Sequence, residues 1–207
     1  MLKKTISDAT IKRLPKYYGY LKLLEDEGVE KVSSSSIATA VSVSASQVRQ
    51  DFFGFESNGQ QGYGYDVKKL KATLASILGV DKPHSMIIIG AGHIGGALAG
   101  HKGFAQEGFQ LKALFDINVA QESIHGIPVY NISTLNDFLK ENKVDIAVIA
   151  TTKDSAQEVA NTLVKGGVES IWNFAQIEIN VPKNVVVENI SMLESLLVLS
   201  YKASNKI

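Results

Sequence analysis

A glycine-rich turn contains the residues best suited to bind a ligand, Gly90-Ala91-Gly92-His93-Ile94-Gly95, with Gly96 directly behind it. It follows the apolar residues 86–89 and opens an apolar helical stretch, which is the context that a dinucleotide-binding turn requires. In such a turn Gly90 makes the tight bend, Gly92 lets the backbone approach a pyrophosphate, and Gly95 lets the helix pack closely on the strand. The sequence therefore predicts that the amides of this turn bind the phosphates of a dinucleotide.

A carboxylate, Asp116, follows the second predicted strand, residues 111–115, and lies 21 residues after Gly95. At that place a carboxylate accepts hydrogen bonds from the adenosine ribose hydroxyls and repels a 2′-phosphate. Asp116 and its neighbour Ile117 are therefore predicted to contact NAD(H), in preference to NADP(H). The alternative is a glycine turn kept only for packing, with Asp116 a solvated strand end.

Two later strand ends are expected to complete the same cleft, because ligands of parallel α/β sheets bind outside the carboxyl ends of the strands. Thr151 and Thr152 follow residues 145–150, and Asn173 and Phe174 follow residues 170–172. Their hydroxyl and amide groups are predicted to orient a ribose or a nicotinamide. For Phe174 a place in the core is an equal alternative, and Thr152 has the alternative of only preceding a helix.

A dehydrogenase also needs a proton donor or acceptor beside the nicotinamide. Tyr65 and Lys69 have the spacing of the short-chain dehydrogenase pair, but they precede the glycine turn, whereas that pair follows it. His93 lies in the phosphate loop, and His101 and His125 have no evident partner. Because the chain has no cysteine and four histidines, no metal site is predicted either. The sequence thus predicts no catalytic residue and no small-molecule substrate, so the dinucleotide is a ligand to be sensed.

The elements that position the turn alternate between strand and helix from residue 85 onward, which predicts a parallel sheet with crossover helices. Residues 177–181 and 185–188 flank Pro182-Lys183-Asn184 and are predicted to form a hairpin. Ser191 opens a last helix that is apolar on nearly all sides. Such a helix must be buried all round, and another subunit is the expected cover.

The first part of the chain has a helix-turn-helix pattern. An amphipathic helix over residues 7–27, bent at Pro15, precedes a short helix that starts in the serine tract 33–36 and runs through Val41. A second short helix covers residues 45–52, where Ser44 and Gln47 fit a capping box. Residues 53–65 alternate aromatics with glycines and predict a hairpin, the wing of a winged helix. Asp66 then caps a helix that ends at Gly79.

The fold class is therefore α/β, with an N-terminal winged helix-turn-helix domain followed by a Rossmann-type parallel sheet domain and a C-terminal dimerisation helix. The predicted boundaries are 1–80 for the winged helix, 81–84 for a linker, 85–190 for the Rossmann domain and 191–207 for the last helix. Residues 1–84 carry 12 Lys and Arg against 9 Asp and Glu, including both arginines, Arg13 and Arg49, which is compatible with binding to DNA. With no long apolar run and no signal peptide, a cytoplasmic protein without membrane contact is expected.

Several motifs together resemble the Rex family of redox-sensing transcriptional repressors over essentially the whole chain. They are Ala9-Thr10-Ile11-Lys12-Arg13-Leu14-Pro15 with Tyr17-Tyr18, Gly28-Val29 leading to Val32-Ser33-Ser34, Gln47-Val48-Arg49 before Asp51-Phe52, Gly62-Tyr63-Gly64-Tyr65-Asp66-Val67, the glycine turn, and Asn173-Phe174-Ala175 before Val181-Pro182. The resemblance implies a homodimer that exchanges its C-terminal helix and represses fermentation and respiration genes when NADH is low. NADH then releases the operator.

In such a dimer the two recognition helices, residues 45–52, enter successive major grooves of a palindromic DNA site. Basic side chains on the first helix contact phosphates, which fix the register without reading sequence. The predicted base contacts are Ser46, Gln47, Arg49 and Gln50, the predicted phosphate contacts are Lys12, Arg13 and Lys16, and the wing tip carries Gln60 and Gln61.

The chain departs from the Rex pattern at several positions. Gln60-Gln61 replaces a Lys-Arg pair of the wing, and residues 53–56 differ from the usual Ser-Tyr-Phe-Gly. Gly19 replaces an arginine of the first helix, and Ser191 an aspartate of the last, two positions that can couple the domains. Their joint loss suggests either a variant relay between the domains or an NAD(H)-binding paralogue with a weakened or altered DNA response. A small NAD-dependent oxidoreductase is a separate alternative.

Overall fold

The computed structural model describes residues 6–53 and 64–205, and the chain divides into two compact units, Met1–Lys82 and Pro83–Ile207. Each unit has a hydrophobic core of its own. Within the described residues no helix is long and apolar enough to cross a membrane. The same residues contain no cluster of three or more side chains able to hold a metal ion.

Five helices and a two-stranded sheet form the described part of the first unit. The helices are α1 (Asp8–Ile11), α2 (Leu14–Asp26), α3 (Ser34–Val41), α4 (Ala45–Phe52) and α5 (Val67–Leu78), and the antiparallel strands are β1 (Lys31–Val32) and β2 (Tyr65–Asp66). The single helix predicted over residues 7–27 is thus two helices. Pro15 lies in the first turn of α2, where its missing N–H has no helical partner to lose, so the chain breaks just before it.

Side-chain caps set the starts of the helices in this unit. Ser33, Ser44 and Asp66 accept hydrogen bonds from the amides of Ser36, Gln47 and Lys69. Ser44 and Asp66 are the predicted N-caps, and Ser33 is the one that the structure selects from the serine tract 33–36. The predicted capping box at Ser44 is only half formed. The Ser44 hydroxyl accepts from the Gln47 amide, but the Gln47 side chain turns to Asp51, and among the described residues its Oε1 accepts no hydrogen bond from the Ser44 amide.

The core of the first unit joins α2, α4 and α5. Tyr17 of α2 packs edge to face on Phe52 of α4, with 5.0 Å between ring centroids, and both rings are buried. Val48 of α4 and Leu74 of α5 are fully buried in the same cluster. This packing fixes the helix-turn-helix pair α3 and α4. The wing hairpin predicted over residues 53–65, including Gln60 and Gln61, lies outside the described residues except for its two ends, Phe53 and residues 64–65.

A seven-stranded sheet organises the second unit. Its strands are β3 (His84–Ile89), β4 (Phe109–Asp116), β5 (Ser123–Ile124), β6 (Ile127–Asn131), β7 (Ile146–Ile149), β8 (Ser170–Asn173) and β9 (Val186–Asn189). They lie in the order β5-β6-β4-β3-β7-β8-β9, and only the β5–β6 pair is antiparallel. The six parallel strands therefore follow the 3-2-1-4-5-6 order of a doubly wound dinucleotide-binding fold.

Helices cover both faces of this sheet. Ile87 and Ile89 point to the face that packs α8 (Leu135–Glu141) and α9 (Lys153–Lys165). Met86 and Ile88 point to the face that packs α6 (His93–Ala99) and α7 (Lys102–Gln106). A last helix, α10 (Met192–Asn205), buries none of its side chains within the chain.

Two details of the second unit differ from the sequence prediction. The hairpin around Pro182 is wrong: residues 177–181 form no strand, and β9 pairs in parallel with β8, so that residues 174–185 serve as the crossover. Ile179 and Val181 pack against the core instead. The β5–β6 hairpin was not predicted, because its turn places a non-glycine residue, His125, at a φ of 52° beside Gly126 at 81°.

Candidate functional site

The glycine turn connects β3 to α6 at the point where the strand order of the sheet reverses. Gly90 has a φ of 103°, and its amide donates a 2.7 Å hydrogen bond to the carbonyl of Phe115 at the end of β4. A Cβ atom added there would lie 2.5 Å from the carbonyl oxygen of Ala150, which follows β7. Gly90 is therefore confined by the two neighbouring strands, and its position excludes any side chain.

The remaining glycines of the turn divide into two kinds. A Cβ atom at Gly95 would lie 1.8 Å from the carbonyl oxygen of Gly90, so α6 packs on the turn only without a side chain. At Gly92 and Gly96 an added Cβ would have no described atom within 4 Å. Gly92 precedes the first turn of α6, where amides have no partner inside the helix. Open space beside unpaired amides fits the approach of a pyrophosphate.

Asp116 ends β4 and holds the turn from the other side. Its Oδ2 accepts a 2.6 Å hydrogen bond from the amide of Ala91, and its Oδ1 accepts one of 2.9 Å from the amide of Asn118. The next residue, Ile117, has 82% of its surface exposed. A carboxylate and an exposed apolar side chain thus adjoin the turn, as the fold requires of residues that bind an adenosine.

The later strand ends meet the same edge of the sheet. Thr152 precedes α9 and its hydroxyl lies 3.3 Å from that of Ser155, while Thr151 is half-buried. Phe174 is half-buried, packs edge to face on Trp172 at 4.7 Å between ring centroids, and donates its amide to the carbonyl of Ile149. Phe174 thus belongs to the apolar cluster on the α6 side of the sheet.

Asn173 has a different role from the predicted one. Its side chain is fully buried; Nδ2 donates to the carbonyl of Ile177 and to Oδ1 of Asn189, both at 2.8 Å, and its Oδ1 accepts from the amide of Ala175. Because these contacts occupy the side-chain amide inside the protein, Asn173 fixes the loop after β8 and does not present the amide to a ligand.

The predicted recognition helix α4 presents a polar outer face. Ser46, Arg49 and Gln50 are exposed, and the Arg49 guanidinium donates a 3.1 Å hydrogen bond to the Ser34 hydroxyl of α3. Gln47 is half-buried and turned toward the end of its own helix. Lys12 and Lys16 are exposed. All of these side chains belong to the first unit.

Arg13 forms an ion pair inside the first unit, and its contact with a DNA phosphate stays a prediction. Its Nε donates to Oδ2 of Asp51 and its Nη2 to Oδ1, both at 2.6 Å, and the Asp51 side chain is 1% exposed. Asp51 also accepts from the Tyr17 hydroxyl at 2.7 Å, from Gln47 Nε2 at 2.9 Å and from the Thr10 hydroxyl at 3.2 Å. A buried carboxylate needs such partners, and Arg13 supplies the charge that compensates it.

The ionisation of this cluster follows from its contacts. Burial by itself raises the pKa of Asp51, but the hydrogen bonds from Arg13, Tyr17 and Gln47 outweigh it and hold that pKa below its ordinary value. The hydrogen bond to Asp51 raises the pKa of Arg13. Burial, followed by the bond to Asp51, raises the pKa of Tyr17 to about 12. Asp51 is therefore a carboxylate anion that only accepts hydrogen bonds.

Comparison with known families gives the two units separate matches. The family described as "Putative DNA-binding protein N-terminus" matches residues 5–52, and the family described as "CoA binding domain" matches residues 81–177. The Rex redox-sensing transcriptional repressor of Clostridioides difficile is 46% identical over 96% of this chain and 95% of its own length. That of Clostridium novyi is 48% identical over 96% of each chain. The chain belongs to the Rex family of redox-sensing transcriptional repressors.

Solved structures agree with this assignment. The Rex-family repressor RSP, in its complex with NAD⁺ and operator DNA, superposes with a TM-score of 0.92 at 42% identity, covering 99% of this chain and 95% of RSP. RSP with NADH superposes with a TM-score of 0.87 at 40% identity, covering 99% and 97%. The predicted fold class and the resemblance are thus confirmed. Rex proteins are regulators rather than enzymes, so the oxidoreductase alternative is not retained.

Asp51, which joins Arg13, Tyr17 and Gln47, is not among the site residues predicted from the sequence. The i, i+4 spacing of Gln47 and Asp51 on α4 is a signal that could have joined them. Gly19 and Ser191 are the departures from the Rex pattern at positions that can couple the domains in the family. Gly19 is exposed, with no described atom near an added Cβ. Ser191 accepts a 3.1 Å hydrogen bond from the Glu194 amide and so caps α10 in place of an aspartate.

Proposed function

We propose that this Rex protein represses transcription by binding a palindromic operator through α4 of two subunits, and that NADH binding at the glycine turn releases the DNA. The observation that carries the proposal is the bond between Asp116 and Ala91, which places an anion beside the open amides of the turn. The solved complexes of RSP with NADH and with NAD⁺ and operator DNA support the same assignment.

NAD(H) is the proposed ligand, in preference to NADP(H). Gly90, Gly92 and Gly95 shape a turn without side chains, and Asp116 offers an acceptor for ribose hydroxyls. The same carboxylate disfavours a 2′-phosphate by charge repulsion, since no described side chain forms an ion pair with it. The remaining proposed contacts are Ala91, His93, Ile94, Gly96, Ile117, Thr151, Thr152 and Phe174.

DNA binding is assigned to the exposed face of the first unit. Lys12, Arg13 and Lys16 are proposed to pair with phosphates, although Arg13 also binds Asp51. Arg49 and Gln50 are proposed to contact base edges, because they lie on the outer face of the second helix of a helix-turn-helix. Ser46 and Gln47 lie on the same helix. Gln60 and Gln61 of the wing are proposed to contribute contacts without charge.

A homodimer is proposed from two apolar surfaces in the second unit. Helix α10 exposes six large apolar side chains and a tyrosine, namely Met192, Leu193, Leu196, Leu197, Val198, Leu199 and Tyr201. The sheet has an apolar groove of about 320 Å³ whose lining includes Phe104, Ile146, Trp172 and Val186. Exchange of the last helix between two copies would remove these surfaces from water, which is the dominant favourable contribution to association.

The proposed domains are a winged helix over residues 1–80, a linker over 81–84, a Rossmann domain over 85–190 and a dimer helix over 191–207. We place the protein in the cytoplasm, because a repressor that reports NADH must meet both the chromosome and the NADH pool there. NADH shifts the protein away from DNA only to the extent that it binds the released arrangement more tightly than the bound one.

A selection experiment tests the function as a whole. The full-length protein is used to enrich operators from random-sequence DNA, and the selected duplex is then titrated in mobility-shift assays with NADH, NAD⁺ or NADPH. We expect a palindrome to be selected and NADH to release it at concentrations at which NAD⁺ and NADPH do not. Selection without release by NADH, or release by NADPH at equal concentration, would contradict the proposal. No enrichment at all would leave an NAD(H)-binding paralogue.

A further inference from the structure

Gln47 combines a place on the recognition helix with a fixed contact inside the protein. Its side chain is half-buried, and Nε2 donates a 2.9 Å hydrogen bond to Oδ1 of Asp51, one helical turn further along α4. Among the described residues, none donates a hydrogen bond to the Oε1 atom of Gln47. The Nε2 end of the Gln47 side-chain amide is therefore fixed by Asp51, and its Oε1 end remains available to accept a hydrogen bond.

The partners of Asp51 decide which end is held. Arg13 donates to both carboxylate oxygens, Tyr17 donates to Oδ2, and the side chain is 1% exposed. An ionised carboxylate has no proton to give, so only the NH₂ group of Gln47 can face it. The depressed pKa of Asp51, held down by Arg13, Tyr17 and Gln47 against the effect of burial, keeps it in this acceptor-only state. The amide orientation, which is ordinarily ambiguous, is thus fixed by chemistry.

We infer that Gln47 is a specificity-determining residue for the operator, and that Asp51 is the positioning residue that turns its Oε1 acceptor toward the DNA. The inference rests on the proposed DNA-binding function. The base that fits this acceptor presents an amino group in the major groove, adenine N6 or cytosine N4. Adenine also presents N7, an acceptor for the second hydrogen of Gln47 Nε2. Adenine can therefore form two hydrogen bonds with the oriented amide, N6 to Oε1 and Nε2 to N7.

Arg13, the residue that precedes α2, orients Asp51 through two contacts. Its guanidinium forms a two-pronged contact with Asp51, which fixes the carboxylate plane as a single hydrogen bond would not. The Thr10 hydroxyl donates to the same Oδ1 atom as Gln47. Side chains of α1 and α2 thereby hold Asp51 in place, and the fixed carboxylate in turn sets the orientation of the Gln47 amide.

The first experiment asks whether Gln47 reads an amino group. Operators are selected from random DNA with the wild-type protein and with Gln47→Ala, and one base position in each half-site should lose its preference in the variant. At that position adenine is then replaced by purine, which lacks the 6-amino group, or cytosine by pyrimidin-2-one, which lacks the 4-amino group. We expect the replacement to weaken wild-type binding about tenfold, within the range for one mismatched base pair, and to leave Gln47→Ala unaffected.

The second experiment asks whether Asp51 acts through Gln47. Asp51→Asn is combined with wild-type Gln47 and with Gln47→Ala, and the affinity ratio of natural to amino-deleted operator is measured for each. We expect Asp51→Asn to reduce this ratio only where Gln47 is present. If Asp51→Asn weakens both operators equally, its role is structural and the inference fails. Hydrogen exchange of the glutamine side chains gives a further test on the wild-type protein. The Nε2 hydrogen of Gln47 that is bonded to Asp51 should exchange with solvent more slowly than the Nε2 hydrogens of exposed Gln50.

The outcomes separate this inference from the function on which it rests. If the wild-type protein selects no sequence, the proposed function is overturned and the inference with it. If it selects a palindrome and Gln47→Ala selects the same one with the same base preferences, only the inference is overturned. Selection that changes at one position, together with loss of sensitivity to the amino group, supports both.

Discussion

The carboxylate of Asp116 accepts a 2.6 Å hydrogen bond from the backbone amide of Ala91. This bond ties the end of β4 to the glycine turn after β3, across 25 residues of sequence. It fixes the carboxylate at the place that the doubly wound fold gives to the adenosine ribose. The choice between NAD(H) and NADP(H) is therefore linked to the geometry of the turn itself.

Replacement of Asp116 by alanine should weaken NADH binding by about tenfold or more, because a hydrogen bond to a charged group contributes about 1.5–3 kcal/mol. NADPH should lose less, since the carboxylate no longer repels its 2′-phosphate, so the gap between the two ligands narrows. Titration of both nucleotides by calorimetry checks this. Glu158→Ala, an exposed carboxylate on α9, is the matched control and should change neither affinity. Equal affinities for wild-type and Asp116→Ala would remove the role assigned to Asp116.

Gly95 and Gly96 are neighbours on α6, but only Gly96 has room for a side chain. In Gly95→Ala the new Cβ would lie 1.8 Å from the Gly90 carbonyl oxygen, so the turn must distort and the second unit must lose stability. In Gly96→Ala the Cβ meets no described atom within 4 Å, and helix propensity favours alanine by up to about 1 kcal/mol. Thermal unfolding followed by Trp172, the only tryptophan, should show a lower midpoint for the first variant alone. A similar decrease for both would contradict the packing argument.

Local signals in the sequence were sufficient for most of the fold. Ser33, Ser44 and Asp66 each cap the helix that follows them, since a cap depends on residues only three apart. The glycine turn was recognisable because strand, turn and helix are contiguous. The ion pair of Arg13 is not recognisable in this way, because its partner Asp51 is 38 residues away and becomes its neighbour only when α2 packs on α4. The sequence alone therefore predicts a phosphate contact for Arg13 and not this second role.

The errors in the second unit have a similar origin. Two apolar runs around Pro182 satisfy the local rules for a hairpin, yet the free edge of β8 pairs with residues 186–189 in parallel. Local pattern does not state which edge a strand will join. The β5–β6 hairpin was missed because His125 adopts a positive φ that histidine adopts less often than glycine or asparagine.

Arg13 and Lys16 should separate stability from DNA binding. Arg13→Ala leaves the Asp51 carboxylate buried without its counter-charge, and we expect the free energy of unfolding to fall by about 3 kcal/mol. Lys16→Ala changes an exposed side chain and should alter stability by less than about 0.5 kcal/mol. It should instead reduce the salt dependence of operator binding by about 0.9 in log–log slope per lost phosphate contact. Urea unfolding followed by circular dichroism measures the stability, and operator titrations at several salt concentrations measure the slope. A large loss of stability in Lys16→Ala with little loss in Arg13→Ala would refute these roles.

We expect Asp145 to stabilise the second unit at neutral pH and to lose this effect in acid. Hydrogen bonds from the backbone amide and then the hydroxyl of Ser85, both at 2.8 Å, lower the pKa of Asp145 from 3.8 to about 2. Because the folded state favours the anion, the stabilisation is fully present above the unfolded value of 3.8 and is lost as pH falls toward 2.

The measurement compares wild-type with Asp145→Asn, which keeps an oxygen acceptor for Ser85. Wild-type should be more stable by about 2 kcal/mol at pH 5, and the difference should shrink toward pH 2. Urea unfolding followed by Trp172 fluorescence reports this unit. Glu141→Gln, at an exposed position of α8, is the control. A difference that does not change between pH 5 and pH 2 would show that ionisation of Asp145 plays no part.

Helix α10 gives the last prediction, because its apolar side chains are exposed in a single chain. Leu196→Glu adds a charge that costs nothing on a solvated helix but must be desolvated if a second subunit covers it. We therefore expect this variant to sediment as a monomer with unchanged helix content, whereas Leu196→Met, which keeps an apolar side chain of similar volume, remains a dimer. Sedimentation at several protein concentrations distinguishes them. Since a palindrome is bound by two recognition helices at once, the monomer should also lose operator affinity while it still binds NADH. An unchanged mass for Leu196→Glu would exclude α10 from the dimer interface.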